Sequence, residues 1–73
     1  MLFRSKPIGA YIRKLREERN YSQQYVANCL DMSCNAYMKC ENDSTWITLY
    51  QVSTLCELYQ IDLSYFIETY LNN

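Results

Sequence analysis

Seventy-three residues, 49% hydrophobic and 21% charged, suffice for one small core and exclude a two-domain enzyme. One glycine and one proline are too few for a hairpin-rich strand protein or a low-complexity chain, and the absence of histidine removes the commonest general base and metal ligand. A net charge of −1 argues against a protein that grips polyanions with its whole surface, and what remains is short helices joined by tight turns, with catalysis not expected and no cofactor or metal implied.

Between positions 7 and 19, Ile8, Ile12 and Leu15 recur at spacings of four and three, which places them on one helical face, with Pro7 suited to the first turn. Asn20 and Tyr21 interrupt the pattern. Ser22 then offers a hydroxyl to cap a helix beginning at Gln23, whose buried side is Val26, Ala27 and Leu30. Asp31 and Met32 make a short link, and Ser33 can cap a third helix from Cys34 to about Asn42, with Tyr37 and Cys40 facing inward. Positions 42 to 47 are polar and read as a loop. Thr48 with Gln51 matches a capping box, after which Leu49, Val52, Leu55, Cys56 and Tyr59 keep helical period up to a link at Gln60 and Ile61. Asp62 can cap a last helix in which Leu63, Phe66, Ile67 and Tyr70 share a face. The expected fold is all-α: a compact five-helix bundle forming a single domain over residues 1–73.

Met1, Leu2 and Phe3 are followed at once by Arg4 and Lys6, which is not the apolar stretch of a signal peptide, and the longest apolar run is too short to cross a bilayer. The expected location is cytoplasmic, without a membrane partner. Cys29, Cys34, Cys40 and Cys56 lack the C-x-x-C pairs of a zinc site, and reduced thiols, mostly packed as small apolar side chains, are expected. The charges are segregated. All seven bases lie in positions 1–41 beside four acids, whereas positions 42–73 hold Asp43, Glu57, Asp62 and Glu68 with no base. Such a dipolar chain can turn one face to an anionic partner.

The joint spacing of Ile12-Arg13-Lys14-Leu15-Arg16, Ser22-Gln23, Val26-Ala27, Leu30-Asp31-Met32-Ser33, Glu41-Asn42 and Thr48-Leu49 resembles the phage-repressor and Cro-like (XRE-type) helix-turn-helix family, from about Ile8 to Ile67. The resemblance implies a lambda-repressor-like bundle with its helix-turn-helix at about residues 23–41. It further implies a transcriptional regulator that binds double-stranded DNA sequence-specifically, usually as a homodimer. In that motif the second helix of the pair, here about 34–41, enters the major groove while the first crosses the backbone. Cys34, Asn35, Met38 and Lys39 are then the base-facing residues. An Asn amide can pair with adenine N6 and N7, Lys39 can reach guanine acceptors or a phosphate, and Met38 can pack on a thymine methyl. Gln23, Asn42, Arg13 and Lys14 are the expected phosphate contacts. The resemblance also sets Arg16 against Glu41 as an ion pair that orients the recognition helix.

This chain departs from the family in carrying Asp31 and Asp43 where Gly is usual at positive φ. It is also 15% aromatic, more than so small a core readily hides. Tyr65, Phe66, Tyr70 and Leu71, with Trp46, are therefore expected either to form an apolar patch joining two copies, since a palindromic site requires two-fold symmetry, or, Phe66 above all, to finish the domain's own core. The alternative is a protein-interaction module, antitoxin-like or anti-repressor-like, that keeps the fold with weak or no DNA binding; low net charge and exposed aromatics speak for it.

Overall fold

The computed structural model describes residues 7–72. The bases Arg4 and Lys6 lie outside the described residues. Among the described residues five helices follow one another: α1 (Ile8–Glu18), α2 (Gln23–Cys29), α3 (Cys34–Glu41), α4 (Leu49–Tyr59) and α5 (Leu63–Leu71). Their starts are set by local chemistry. The Ser22 hydroxyl accepts from the Tyr25 amide, the Ser33 hydroxyl accepts from the Ala36 amide, and Thr48 and Gln51 form a reciprocal capping box. Each satisfies a helix-terminal donor that has no partner within the helix. Asp62 occupies the start of α5 but does not cap it with its side chain; the carboxylate instead accepts from the Ser64 hydroxyl.

The helix ends share a second device. After α1, α2, α3 and α4 the chain passes through Asn20 (φ 59°), Asp31 (φ 60°), Asp43 (φ 63°) and Gln60 (φ 56°), all left-handed. In each case the next amide reaches back to a carbonyl in the last turn: Tyr21 to Arg16, Met32 to Ala27, Ser44 to Lys39 and Ile61 to Cys56. This six-to-one bond is the Schellman closure, which normally employs Gly at the left-handed position. Here four larger side chains hold it.

The only glycine in the chain serves a different purpose. A Cβ on Gly9 would stand 2.1 Å from the Glu41 carbonyl oxygen and 2.6 Å from its carbon, so α1 and α3 approach too closely for any side chain. Around that crossing α1 contributes Ile8, Tyr11, Ile12 and Leu15 to a core completed by Val26, Ala27 and Leu30, Tyr37 and Cys40, Ile47, Val52, Leu55, Cys56 and Tyr59, and Phe66 and Tyr70. Tyr11 meets the Phe66 ring edge-on at 5.0 Å and lies 6.1 Å from Tyr70, which joins α1 to α5. α1 therefore packs against α3 through Gly9 and against α5 through Tyr11.

Two expectations are corrected by this packing. Phe66 and Tyr70, offered for a surface patch between copies, are fully buried because the ring of Tyr11 draws them into the domain's own core. Leu49, counted in one helical period with Val52, Leu55, Cys56 and Tyr59, is 58% exposed, since it stands in the first turn of α4, ahead of the buried residues.

Burial pushes the thiols of Cys40 and Cys56 up, so both stay protonated and behave as small apolar groups. Among the described residues no helix is long and apolar enough to cross a membrane, and no group of three or more Cys, Asp or Glu is placed to hold a metal ion.

An alanine within a helix ordinarily stabilises relative to glycine, but at Gly9 the overlap with backbone reverses the sign. Gly9→Ala is expected to lose about 1–3 kcal/mol in urea unfolding, as overpacked sites do; a gain would show that α1 and α3 stand further apart than described. Gln60 has neither the short polar side chain nor the missing Cβ that favour left-handed backbone. Gln60→Gly should therefore raise the urea midpoint, because the left-handed cost of about 1–2 kcal/mol exceeds the backbone entropy of about 0.5–1 kcal/mol that a glycine loses on folding.

Candidate nucleic-acid interface

The helix-turn-helix is held from behind by one buried polar network. Arg16, in the last turn of α1, donates from Nε to Glu41 Oε2 at 2.6 Å and from Nη2 to Glu41 Oε1 at 3.2 Å. Its remaining nitrogen, Nη1, donates to the Tyr21 carbonyl at 2.8 Å. Glu41 Oε1 also accepts from Gln23 Nε2 at 3.0 Å. Four chain segments thus converge on one guanidinium–carboxylate pair: the end of α1, the α1–α2 turn, the start of α2 and the end of α3. Both charged residues are buried, at 8% and 7% exposure, so a partner's loss would leave an uncompensated charge.

The electrostatics follow from that closure. Burial alone would raise the Glu41 carboxyl. The hydrogen bonds from Arg16 and Gln23, with the nearby Tyr37 hydroxyl, outweigh it and hold the group below the usual carboxylate range. The Arg16 guanidinium is raised by its hydrogen bond to Glu41. Burial raises Tyr37 most, with the Glu41 carboxylate adding to it, and pushes Tyr59 up to about 12. The Tyr37 and Tyr59 hydroxyls interact with this network through space but fall short of hydrogen-bonding geometry with any described residue.

On the opposite side of α3 a row of side chains faces outward. Tyr37 and Cys40 point into the core at 0% and 1% exposure, whereas Asn35, Met38 and Lys39 are exposed and Cys34 is half-buried. This division repeats the helical period: residues 34, 35, 38 and 39 fall on one face and 37, 40 and 41 on the other.

The expected phosphate contacts are less uniform. Lys14 is exposed on α1, and Arg13 beside it pairs with Glu17 at 3.2 Å, one turn on. Asn42, at the end of α3, accepts the Ser44 amide on Oδ1, leaving its nitrogen without a partner among the described residues. Gln23, expected at a phosphate, also gives one amide hydrogen to Glu41. No sequence rule links positions 23 and 41; only the tertiary approach of α2 to the end of α3 makes the contact visible.

Two further residues were not legible as part of this arrangement. Asp43, foreseen only as a left-handed turn residue, accepts the Gly9 amide at 2.9 Å across 34 positions. Arg19 lays its guanidinium 4.7 Å from the centre of the Tyr59 ring, which is stacked with Tyr21 at 6.1 Å, so this base braces the α1–α2 turn. Of the residues expected in a contact between copies, Trp46 and Tyr65 are 55% and 57% exposed. Leu49 and Tyr50, at 58% and 78%, are exposed as well.

Because the Glu41 carboxyl is depressed in the folded state, its contribution to stability is complete above the unfolded-state value and is lost as pH falls through the folded one. The stability difference between the parent and Glu41→Gln should therefore be constant from pH 7 to about pH 5 and narrow below about pH 4.3. Urea unfolding at stepped pH checks this; a difference that stays constant to pH 3 would contradict the depressed carboxyl.

Comparison with known proteins agrees with the geometry. The family model described as helix-turn-helix matches residues 12–66. The chain is also similar to an HTH-type transcriptional regulator, PrpR, of Mycobacterium tuberculosis (strain ATCC 25618 / H37Rv), with 36% identity over 58 residues. That match covers 80% of this chain and 12% of the relative, so the chain spans about an eighth of the relative's length. No solved structure matches significantly. With an XRE-type match over most of its length and five helices arranged as described, the chain belongs to the helix-turn-helix family.

Proposed function

We propose that this chain binds duplex DNA sequence-specifically as part of a transcriptional regulator, with α3 in the major groove, and that it acts by binding rather than by catalysis. The observation that carries the reading is the two-sided character of α3. Its inner face is fixed by Tyr37, Cys40 and the Glu41 network, and its outer face offers Asn35, Met38 and Lys39. A helix must be held on one side and free on the other to insert between phosphate walls.

The roles follow from side-chain chemistry. Asn35 supplies a donor and an acceptor in the spacing of an adenine edge, Lys39 supplies donors for guanine O6 and N7, and Met38 supplies an apolar surface for a thymine methyl. Cys34, at the first position of α3, makes a small contact at the edge of that surface. Lys14, Arg13, the Asn42 amide and the second hydrogen of the Gln23 amide hold phosphates, which sets register without reading sequence. Two copies on a palindromic site would meet through exposed residues such as Trp46 and Tyr65.

One observation favours a second reading. Beyond residue 42 every charge is acidic, and Leu49, Tyr50 and Tyr65 are exposed, a surface better suited to protein than to phosphate. A protein-interaction module of this kind would bind duplex weakly or not at all.

Selection of bound duplexes from a random pool, followed by titration at several salt concentrations, separates the two. A regulator should yield a consensus, and its log affinity should fall linearly with log salt by about 0.9 per phosphate neutralised. Asn35→Ala should weaken the consensus duplex by roughly 1–3 kcal/mol and relax the preference at one base position, while Lys14→Ala weakens all duplexes alike. Absence of salt-dependent binding would overturn the proposal.

A further inference from the structure

Asp43 leaves the end of α3 in a left-handed conformation, φ 63°, where a Cβ costs energy and glycine would not. At Asp43 a side-chain interaction offsets that cost: the Gly9 amide donates to Asp43 Oδ1 at 2.9 Å. The cap position of α1 is Pro7, which has no side-chain acceptor, so Asp43 supplies from a distant part of the chain the oxygen that α1 lacks locally. Its negative charge also sits at the positive end of an 11-residue helix.

This contact completes a two-point attachment. Gly9 lies against the backbone of Glu41 and Cys40, and Arg16, farther along α1, grips the Glu41 side chain. Asp43 adds a bond just past the exit of α3. The lever is short but consequential. An eight-residue helix is about 12 Å long, so a pivot of about 10° at its last turn moves the first turn by about 2 Å. Base reading tolerates misplacement of only about 0.5 Å.

We propose that Asp43 is a positioning residue for DNA recognition: by accepting the Gly9 amide it fixes the angle at which α3 presents Asn35, Met38 and Lys39, and it holds its own charge against α1 instead of against a phosphate. The inference rests on the DNA-binding reading above. It explains how an acid is accommodated beside Asn42 at the edge of a surface that must approach a polyanion.

Two variants isolate the hydrogen bond from the charge. Asp43→Asn and Asp43→Gly remove the same charge and both suit left-handed backbone, but only Asn retains an oxygen for the Gly9 amide. Asp43→Gly is expected to stay folded, because relief of the left-handed strain offsets the lost cap. The readouts are the ratio of affinities for the selected and random duplexes at fixed salt, and hydrogen exchange at the Gly9 amide. Asp43→Asn should keep the parent's ratio and Gly9 protection, whereas Asp43→Gly should lose that protection and lower the ratio about tenfold. Equal ratios in the two variants would overturn the proposal, since a purely structural cap would change only the unfolding midpoint. If the parent itself discriminates between no duplexes, the DNA-binding reading fails, and amide shifts of residues 34–39 in the free protein decide the positioning role. Displacement in Asp43→Gly but not in Asp43→Asn supports it, and unmoved shifts in both overturn it.

Discussion

A guanidinium and a carboxylate, removed from water and turned toward each other, determine how the helix-turn-helix of this protein is held. Arg16 uses all three nitrogens, two on Glu41 and one on the Tyr21 carbonyl, and Glu41 receives Gln23 as well. Such a pair adds little net stability over apolar residues of the same volume, but it is directional where an apolar contact is not. Hydrophobic burial brings α1, α2 and α3 together. The network selects one relative orientation among those that burial alone would accept, and the outward row on α3 inherits its direction from that choice.

The packing of α1 shows why the domain tolerates so little change along this seam. Gly9 allows the backbones of α1 and α3 to touch, Tyr11 engages α5, and Arg16 ties off the motif. The cost is visible elsewhere. With its one glycine committed to the helix crossing, the chain closes four helices with Asn, Asp, Asp and Gln in left-handed backbone. Asp43 offsets that strain through its bond to Gly9, whereas Gln60 has no comparable long-range bond among the described residues.

Much of this was legible in the residues. Ser22, Ser33 and the Thr48–Gln51 box marked three helix starts, because capping is local chemistry acting over three or four positions. Left-handed backbone at Asp31 and Asp43 could be anticipated from where glycine was missing. Asn20 and Gln60 could be read only as breaks in period. What stayed hidden was tertiary: the Gln23–Glu41 and Gly9–Asp43 contacts join residues 18 and 34 positions apart, and nothing in either neighbourhood announces them. The aromatic-rich end misled for a related reason. Composition states how much apolar surface must be placed, but only the position of Tyr11 shows that Phe66 and Tyr70 are inside while Tyr65 is outside.

The claim that orientation, more than net energy, is what the Arg16–Glu41 pair provides can be tested by a double-mutant cycle in urea unfolding, with Arg16→Met, Glu41→Leu and both together. Each single variant should lose roughly 3 kcal/mol because it strands a buried charge, and the double variant should lose much less than the sum of the two. Losses that simply add would show two independent surface charges, and the framework on which the recognition helix is placed would have to be sought elsewhere.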